Sequence, residues 1–251
     1  MANSENITES YLGTIKIVKY NKPAKKNAID VHMYVKVKEI FDSAAHDENI
    51  SMIVLTGAGD YYSSGNDFTA ALETPKYNIS NILKEYITAF IKFPKILIAV
   101  VNGPAIGIAA TTLALCDLVF ASENSYFYTP FTKLGIVAEG CSTFTFPRLI
   151  GERKAAEMLL YNHKMSAKEA LDCGFINYIY KTEELQSKVW DKIVEVSKTP
   201  QHSLTITKKL LRNSYHNDLL SANAKEIEEL NKIWNKGNEY ILEVFNKKSK
   251  L

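Results

Sequence analysis

Gly59-Asp60-Tyr61-Tyr62-Ser63-Ser64-Gly65-Asn66-Asp67 and Asn102-Gly103-Pro104-Ala105-Ile106-Gly107 are the two stretches on which the reading of this chain turns. Each is a glycine-containing turn behind a short apolar run. Met52 to Leu55 leads into the first through Thr56-Gly57, and Ile96 to Val101 leads into the second. Apolar runs this short, bounded by turn residues, read as buried strands. Glycine at their ends supplies backbone angles that other residues avoid. Neither turn matches a GxGxxG or Walker phosphate loop, and no GxSxG elbow surrounds Ser63 or Ser64. Taken singly, each is a strand-to-helix turn. Taken together, two such turns at neighbouring strand ends can aim two backbone N–H groups at one point, where an oxyanion would be held. A helix opening at Gly107 would add its positive end to that point.

Outward from these turns the pattern alternates between short strands and helices. Residues 12–19 (LGTIKIVK) alternate like a strand. Asp30 can cap a helix whose apolar positions Met33, Val37, Ile40, Phe41 and Ala44 share one face. Gly107 to Leu115 reads as a helix and Leu118 to Ala121 as a buried strand. Ser166-Ala167-Lys168-Glu169 is a capping box, with Gly174 as a stop for that helix. The fold class is therefore α/β, with strand-end loops as the working surface. A Pro-containing segment from Ser197 to Gln201 marks a change, so residues 1–196 read as the core and 197–251 as a helical C-terminal region. Leu220, Ile227, Leu230, Trp234, Ile241 and Phe245 form a stripe there that packs on the main body or on another subunit.

Composition excludes several function classes. The 251 residues carry a formal net charge of +2, and no Lys/Arg run comes with interleaved aromatics, so no nucleic-acid partner is expected. Cys116, Cys141 and Cys173 lack CxxC spacing and read as reduced thiols. The five histidines show no zinc spacing, and no metal is expected. Residues 1–10 lack the basic and apolar regions of a secretory leader. The apolar stretch Ile96 to Cys116 is broken by Asn102-Gly103-Pro104, so no membrane span is expected. Ser249-Lys250-Leu251 is an SKL tripeptide, an address read by the peroxisomal import receptor.

The two turns resemble the oxyanion segments of the crotonase (enoyl-CoA hydratase/isomerase) family. Asn27-Ala28, Ile98 to Gly103, Cys116-Asp117, Pro130, Gly135 and Ala170…Gly174-Phe175-Ile176-Asn177 fit the same pattern, over roughly residues 11 to 245. The resemblance implies a crotonase-type spiral of ββα units with a C-terminal helical region. Carried over by position, it makes the N–H groups of Ser64 and Ile108 the oxyanion donors. It implies acyl-CoA contacts along Lys26, Ala28, Ser63, Gly65, Asn66, Asp67 and Gly107, with Lys25 or Lys26 near the CoA phosphates. It implies no cofactor, coenzyme A being part of the substrate. A homotrimer or a dimer of trimers follows from the same likeness, with the C-terminal helices near the subunit contacts.

Side chains choose among the family's reactions. Its hydratases use two glutamates, at the positions held here by Thr111 and Phe131, and neither can act as a base. Glu139, in Leu134-Gly135-Ile136-Val137-Ala138-Glu139-Gly140-Cys141-Ser142, resembles the catalytic glutamate of the Δ3,Δ2-enoyl-CoA isomerases, the peroxisomal subgroup above all. Apolar neighbours such as Phe131, Ile136, Val137 and Phe144 would raise its basicity. That subgroup often carries an acyl-CoA-binding domain ahead of the isomerase part, where this sequence begins directly. The expected activity is 3-enoyl to 2-enoyl isomerisation in peroxisomal β-oxidation of unsaturated fatty acids. The alternatives are a dienoyl-CoA isomerase or other crotonase-type reaction, which would need further pocket carboxylates, and a non-catalytic acyl-CoA-binding protein. Thr69 to Ile82 is the segment placed along the acyl tunnel.

Overall fold

The computed structural model describes residues 6–67 and 79–235. The chain opens with a hairpin of β1 (Ile7–Leu12) and β2 (Ile15–Tyr20), in which Leu12 faces Ile15. The single strand expected over 12–19 is thus corrected. Gly13, at φ +58°, and Thr14 form a two-residue turn, the loop length at which strand twist calls for positive φ.

Four further strands add in parallel: β3 (Met52–Gly57), β4 (Ile96–Val101), and then β6 (Leu118–Ser122) and β9 (Tyr178–Tyr180). The order is β1-β2-β3-β4-β6-β9. A small second sheet joins β5 (Ala105–Ile106), β7 (Tyr126–Tyr128) and β8 (Lys164–Ser166) in the order β5-β7-β8. Several of the main strands step into this second layer before the next α-helix begins. β4 leads to β5 and β6 to β7. After β3 the backbone bridges Ser63 to Ala105, and Asn66 to Ile29. The repeated step is the ββα spiral.

The helices are α1 (Val31–His46), α2 (Ile79–Lys92), the single turn α3 (Ile108–Thr111), α4 (Ser142–Ile150), α5 (Glu152–Leu159), α6 (Ala167–Asp172), α7 (Thr182–Ser197), α8 (Gln201–Asn213) and α9 (His216–Trp234). The Asp30 side chain accepts the Met33 N–H at the start of α1, and Met33, Val37, Ile40, Phe41 and Ala44 are its buried face. The Ser166 capping box opens α6 with both reciprocal bonds made. The helix expected over 107–115 is shorter than the sequence suggests: α3 gives way to a 3₁₀ turn over Thr112–Leu115.

Because β3 and β4 are buried on both faces, they read as continuous apolar runs rather than alternating ones. One face packs under α1, α2 and α9 in the main core, which includes Val37, Phe41, Phe90, Leu219, Ile227 and Leu230. The other face packs against Leu185, Val189 and Ile193 of α7. The described part of the C-terminal stripe therefore closes on the chain's own body; Ile241 and Phe245 lie outside the described residues. No helix among the described residues is long and apolar enough to cross a membrane.

Leu230 on α9 is fully buried in the main core. Leu230→Ala is expected to cost about 2–5 kcal/mol of stability, read as a fall in the urea midpoint. An unchanged midpoint would mean that α9 does not pack on its own chain in solution.

Candidate active site

The two glycine turns are held against each other by backbone contacts. Ser63 N–H donates to Pro104 O at 3.3 Å, and Ile106 N–H donates to Ser63 O at 3.0 Å. Gly65, at φ +85°, lies so close that a Cβ there would stand 2.6 Å from Ile106 O. A Cβ at Gly103 would fall 1.9 Å from Asp60 O. Only glycine permits either approach, so the glycines of both turns are what allow the strand ends to meet.

A third loop anchors the first turn. Asn27, fully buried at φ +56°, donates through Nδ2 to Ala58 O at 2.8 Å and Tyr61 O at 2.7 Å, and its Oδ1 accepts the Lys22 N–H at 2.9 Å. The Ser63 hydroxyl donates to Asn27 O at 2.8 Å and accepts the Gly65 N–H at 3.1 Å. Asp67 is buried and its carboxylate accepts Lys22 Nζ at 2.9 Å.

These bonds decide which N–H groups remain open. The Ser64 N–H, carried over as an oxyanion donor, donates to Lys26 O at 2.9 Å and is not available. The cause is the left-handed backbone at Lys26 (φ +53°), which turns that carbonyl toward the loop. Asn66 differs. Its neighbours make the bridge to Ile29, with Ile29 N–H donating to Gly65 O at 2.8 Å and Asp67 N–H to Ile29 O at 2.9 Å. In a parallel bridge the intervening residue turns its own N–H the other way. Among the described residues the N–H groups of Asn66 and Ile108 find no acceptor. The helix behind Ile108 is one turn long. It therefore adds little macrodipole beyond its own free N–H groups.

Glu139 lies fully buried on the loop before α4. Its Oε1 accepts from Asn66 Nδ2 at 3.1 Å, and its Oε2 has no hydrogen-bond partner among the described residues. Loss of water raises its pKa to about 8; the Asn66 donor opposes that rise, and the nearby Glu226 carboxylate adds to it. Glu226, on α9, accepts the Cys141 N–H at 2.7 Å, the Thr143 N–H at 3.0 Å and the Thr143 hydroxyl at 2.6 Å. It caps the start of α4, where Cys141 at φ +62° offers no side-chain cap of its own. Burial pushes Glu226 up to about 7 against those three donors. No motif singled out Glu226, Tyr34 or the side-chain role of Asn66. A lone acid on the apolar face of a helical stripe was the available signal for Glu226.

The family model for enoyl-CoA hydratase/isomerase matches residues 11–248. The chain belongs to this family. Over 220 residues it is 41% identical to "Enoyl-CoA delta isomerase 3, peroxisomal" of Mus musculus, covering 85% of this chain and 69% of that one. Over 237 residues it is 40% identical to "Enoyl-CoA delta isomerase 2" of Rattus norvegicus, covering 92% of this chain and 60% of the relative, so it spans less than two thirds of the rat protein. The crystal structure of an enoyl-CoA hydratase/isomerase from Pseudoalteromonas atlantica T6c superposes with a TM-score of 0.92 over 97% of this chain and 98% of that one, at 24% identity. The crotonase fold is thereby shown.

Within the crotonase frame, the two positions that hold acids in the hydratases are occupied by buried packing groups. Thr111 bonds to Ile108 O at 3.2 Å, and a Cβ at Gly140 would stand 2.1 Å from its Oγ1, so Thr111 seats the loop that carries Glu139. Phe131 is buried, its ring 4.0 Å from where a Cβ of Gly107 would lie. Lys26 is exposed, its ammonium 5.0 Å above the Tyr61 ring, and Ala28 is half-buried behind it. Residues 68–78, most of the segment assigned to the acyl tunnel, lie outside the described residues, as does Ser249-Lys250-Leu251.

The buried carboxyl has a consequence for stability. Unfolded, Glu139 loses its proton near 4.5; folded, it keeps it to about 8. The folded state holds the extra proton between these values, so this group makes stability fall as pH rises from about 4.5 to about 8. Glu139→Gln removes that cost, and its Tm at pH 8.5 is expected to exceed the wild-type value by on the order of 5 °C, with little difference at pH 4.5. Equal melting curves at pH 8.5 would contradict the burial.

Proposed function

We propose that this chain is a Δ3,Δ2-enoyl-CoA isomerase that moves the double bond of a 3-enoyl-CoA to the trans-2 position. The observation that carries the reading is Glu139: a wholly buried carboxyl with one unpartnered oxygen, beside two turns with open backbone N–H groups. The thioester oxygen accepts from the N–H groups of Asn66 and Ile108, with Asn66 replacing Ser64 in that role. Glu139 takes a proton from C2. The C–H electrons move into the thioester, giving a dienolate whose charge rests on the oxygen held by the two donors. Glu139 then returns the proton at C4, and the conjugated 2-enoyl product forms with no net gain or loss of atoms. Each oxyanion donor supplies about 10²–10³ in rate and the positioned base about 10²–10⁴. Coenzyme A is part of the substrate, with Lys26 at the phosphate end, and no further cofactor takes part.

Hydration is disfavoured because Thr111 and Phe131 can neither activate nor protonate water. Dienoyl isomerisation needs further carboxylates open to the pocket, and among the described residues the other two buried carboxylates are engaged, Glu226 by three donors and Asp67 by Lys22. The names of the mouse and rat relatives support the same activity. A peroxisomal setting, within β-oxidation of unsaturated fatty acids, is supported by Ser249-Lys250-Leu251 and by the mouse relative's name. A homotrimer or a dimer of trimers is supported by Ile206, Leu210 and Leu211, which stand 56, 70 and 68% exposed on α8.

Glu139→Gln is expected to bind a saturated acyl-CoA as the wild type does and to lose 3-enoyl to 2-enoyl conversion by about 10²–10⁴-fold. Turnover near the wild-type rate would overturn the assignment, and a 3,5-dienoyl substrate turned over faster than the 3-enoyl one would replace it. The base must be ionised to act, so kcat/KM is expected to rise with pH through a midpoint near 8. A profile flat from pH 6 to 9 would exclude Glu139 as the group that titrates.

A further inference from the structure

The two oxygens of Glu139 are not equivalent. Oε1 takes the hydrogen bond from Asn66 Nδ2 at 3.1 Å, while Oε2 has no partner among the described residues. Asn66 is itself held from the other end, its Oδ1 accepting from the Tyr34 hydroxyl. An amide presents an acceptor at one end and a donor at the other. A hydroxyl donating to Oδ1 therefore obliges the NH2 group to face the carboxylate. Tyr34 is immobilised in turn. It is buried on α1, and its ring meets that of Tyr86 on α2 edge to face, with centroids 4.6 Å apart. The Tyr86 hydroxyl bonds to that of Tyr20 on β2 at 2.8 Å. The line from Tyr20 to Glu139 thus rests on two helices and a central strand.

We infer that Asn66 is a positioning residue for Glu139, locked in its working orientation by Tyr34, so that Oε1 is tethered and Oε2 alone carries the proton between substrate carbons. This rests on the reading of Glu139 as the base. One residue then serves both halves of the reaction: the Asn66 backbone faces the oxyanion while its side chain aims the base. A carboxylate free to rotate would offer either oxygen in many directions, and misplacement of a reacting group by about 1 Å costs up to about 10²-fold. The tether acts on proton affinity as well as on aim. A donor to the charged form favours ionisation, opposing the burial that disfavours it. Among the described residues the ionisable groups facing Glu139 are Tyr34 from α1 and Glu226 from α9, and neither supplies a positive charge that could take over the role of the amide.

Asn66→Ala keeps the backbone N–H and removes the tether; Tyr34→Phe keeps the tether and frees it to turn over. Both are compared with wild type and Glu139→Gln in the full-length protein, for kcat, KM and the pH midpoint. The Glu139 carboxyl is titrated separately by ¹³C NMR in the substrate-free protein. Asn66→Ala is expected to lower kcat about 10- to 100-fold with KM changed less than about 3-fold, and to move the Glu139 titration upward. Tyr34→Phe is expected to shift both in the same direction by less, about 3- to 10-fold in kcat. The double variant should resemble Asn66→Ala alone, because the two act in series. A merely structural role would lower Tm and leave the titration of Glu139 where it stands. An unmoved titration with wild-type kcat in Asn66→Ala overturns the inference. If that variant does not fold, an unmoved titration in Tyr34→Phe does so. The failure of the base assignment reads differently: Glu139→Gln would keep its turnover while the NMR titration still moved on loss of the tether.

Discussion

A carboxyl group sealed from water, with one oxygen unpartnered among the described residues, is a costly arrangement, and the surroundings of Glu139 are built to hold it. Protein interiors disfavour ionised groups that lack partners, and the usual outcome is either a partner or a surface position. Among the described residues Glu139 has one hydrogen-bond partner, Asn66, and it has no exposure. The loop on which it sits reflects this. Gly140 closes against Thr111, and Cys141 adopts a left-handed backbone. The Cys141 N–H is taken up by Glu226 from a distant helix. Each feature is costly in isolation, and each holds the carboxyl where solvent cannot follow.

The second constraint is steric and belongs to the backbone. Two strands of the main sheet end in turns that must touch for their N–H groups to converge. They touch only because Gly65 and Gly103 lack side chains. This contact is also the crossover from the main sheet to the small one, through the Ser63–Ala105 bridge. Fold and site therefore share their bonds. The ββα step that builds the spiral also exposes one N–H at Asn66 and another at Ile108. In the proposed isomerase reading, the side chains at 111, 131 and 139 set the reaction while this shared backbone frame holds the thioester.

Much of this was legible in the sequence because it follows from local rules. The buried strands announced themselves as apolar runs, and the Asp30 cap, the Ser166 capping box and the two glycine turns sit where their composition placed them. Glu139 was legible through the likeness of its segment, Leu134 to Ser142, to that of the isomerase glutamate, with Thr111 and Phe131 standing where the hydratases carry acids. The misreadings are equally specific. Ser64, carried over by position, differs from the open N–H of Asn66 because the direction of an N–H depends on the backbone angles at Gly65 and on the carbonyl of Lys26, and neither is encoded in residue type. The β1–β2 hairpin merged into one strand because Gly13-Thr14 is too short a break to interrupt an alternating pattern. Glu226 and Tyr34 were missed because they reach the site only by packing across the core, and a buried acid on an amphipathic stripe resembles any other surface acid when the partner is unknown.

The clasp between α9 and the start of α4 also has a bearing on the order in which the protein becomes functional. Glu226 follows the N–H it holds by 85 residues. When the chain is made from its N-terminus, both glycine turns, Asn66 and Glu139 have all emerged before Glu226. The sheet can assemble on the nascent chain, but the loop that carries Glu139 acquires this anchor only after α9 has left the ribosome. The loop that carries Glu139 is therefore completed by a residue made long after it, and a chain interrupted before α9 lacks that anchor, whatever fold its remaining strands achieve.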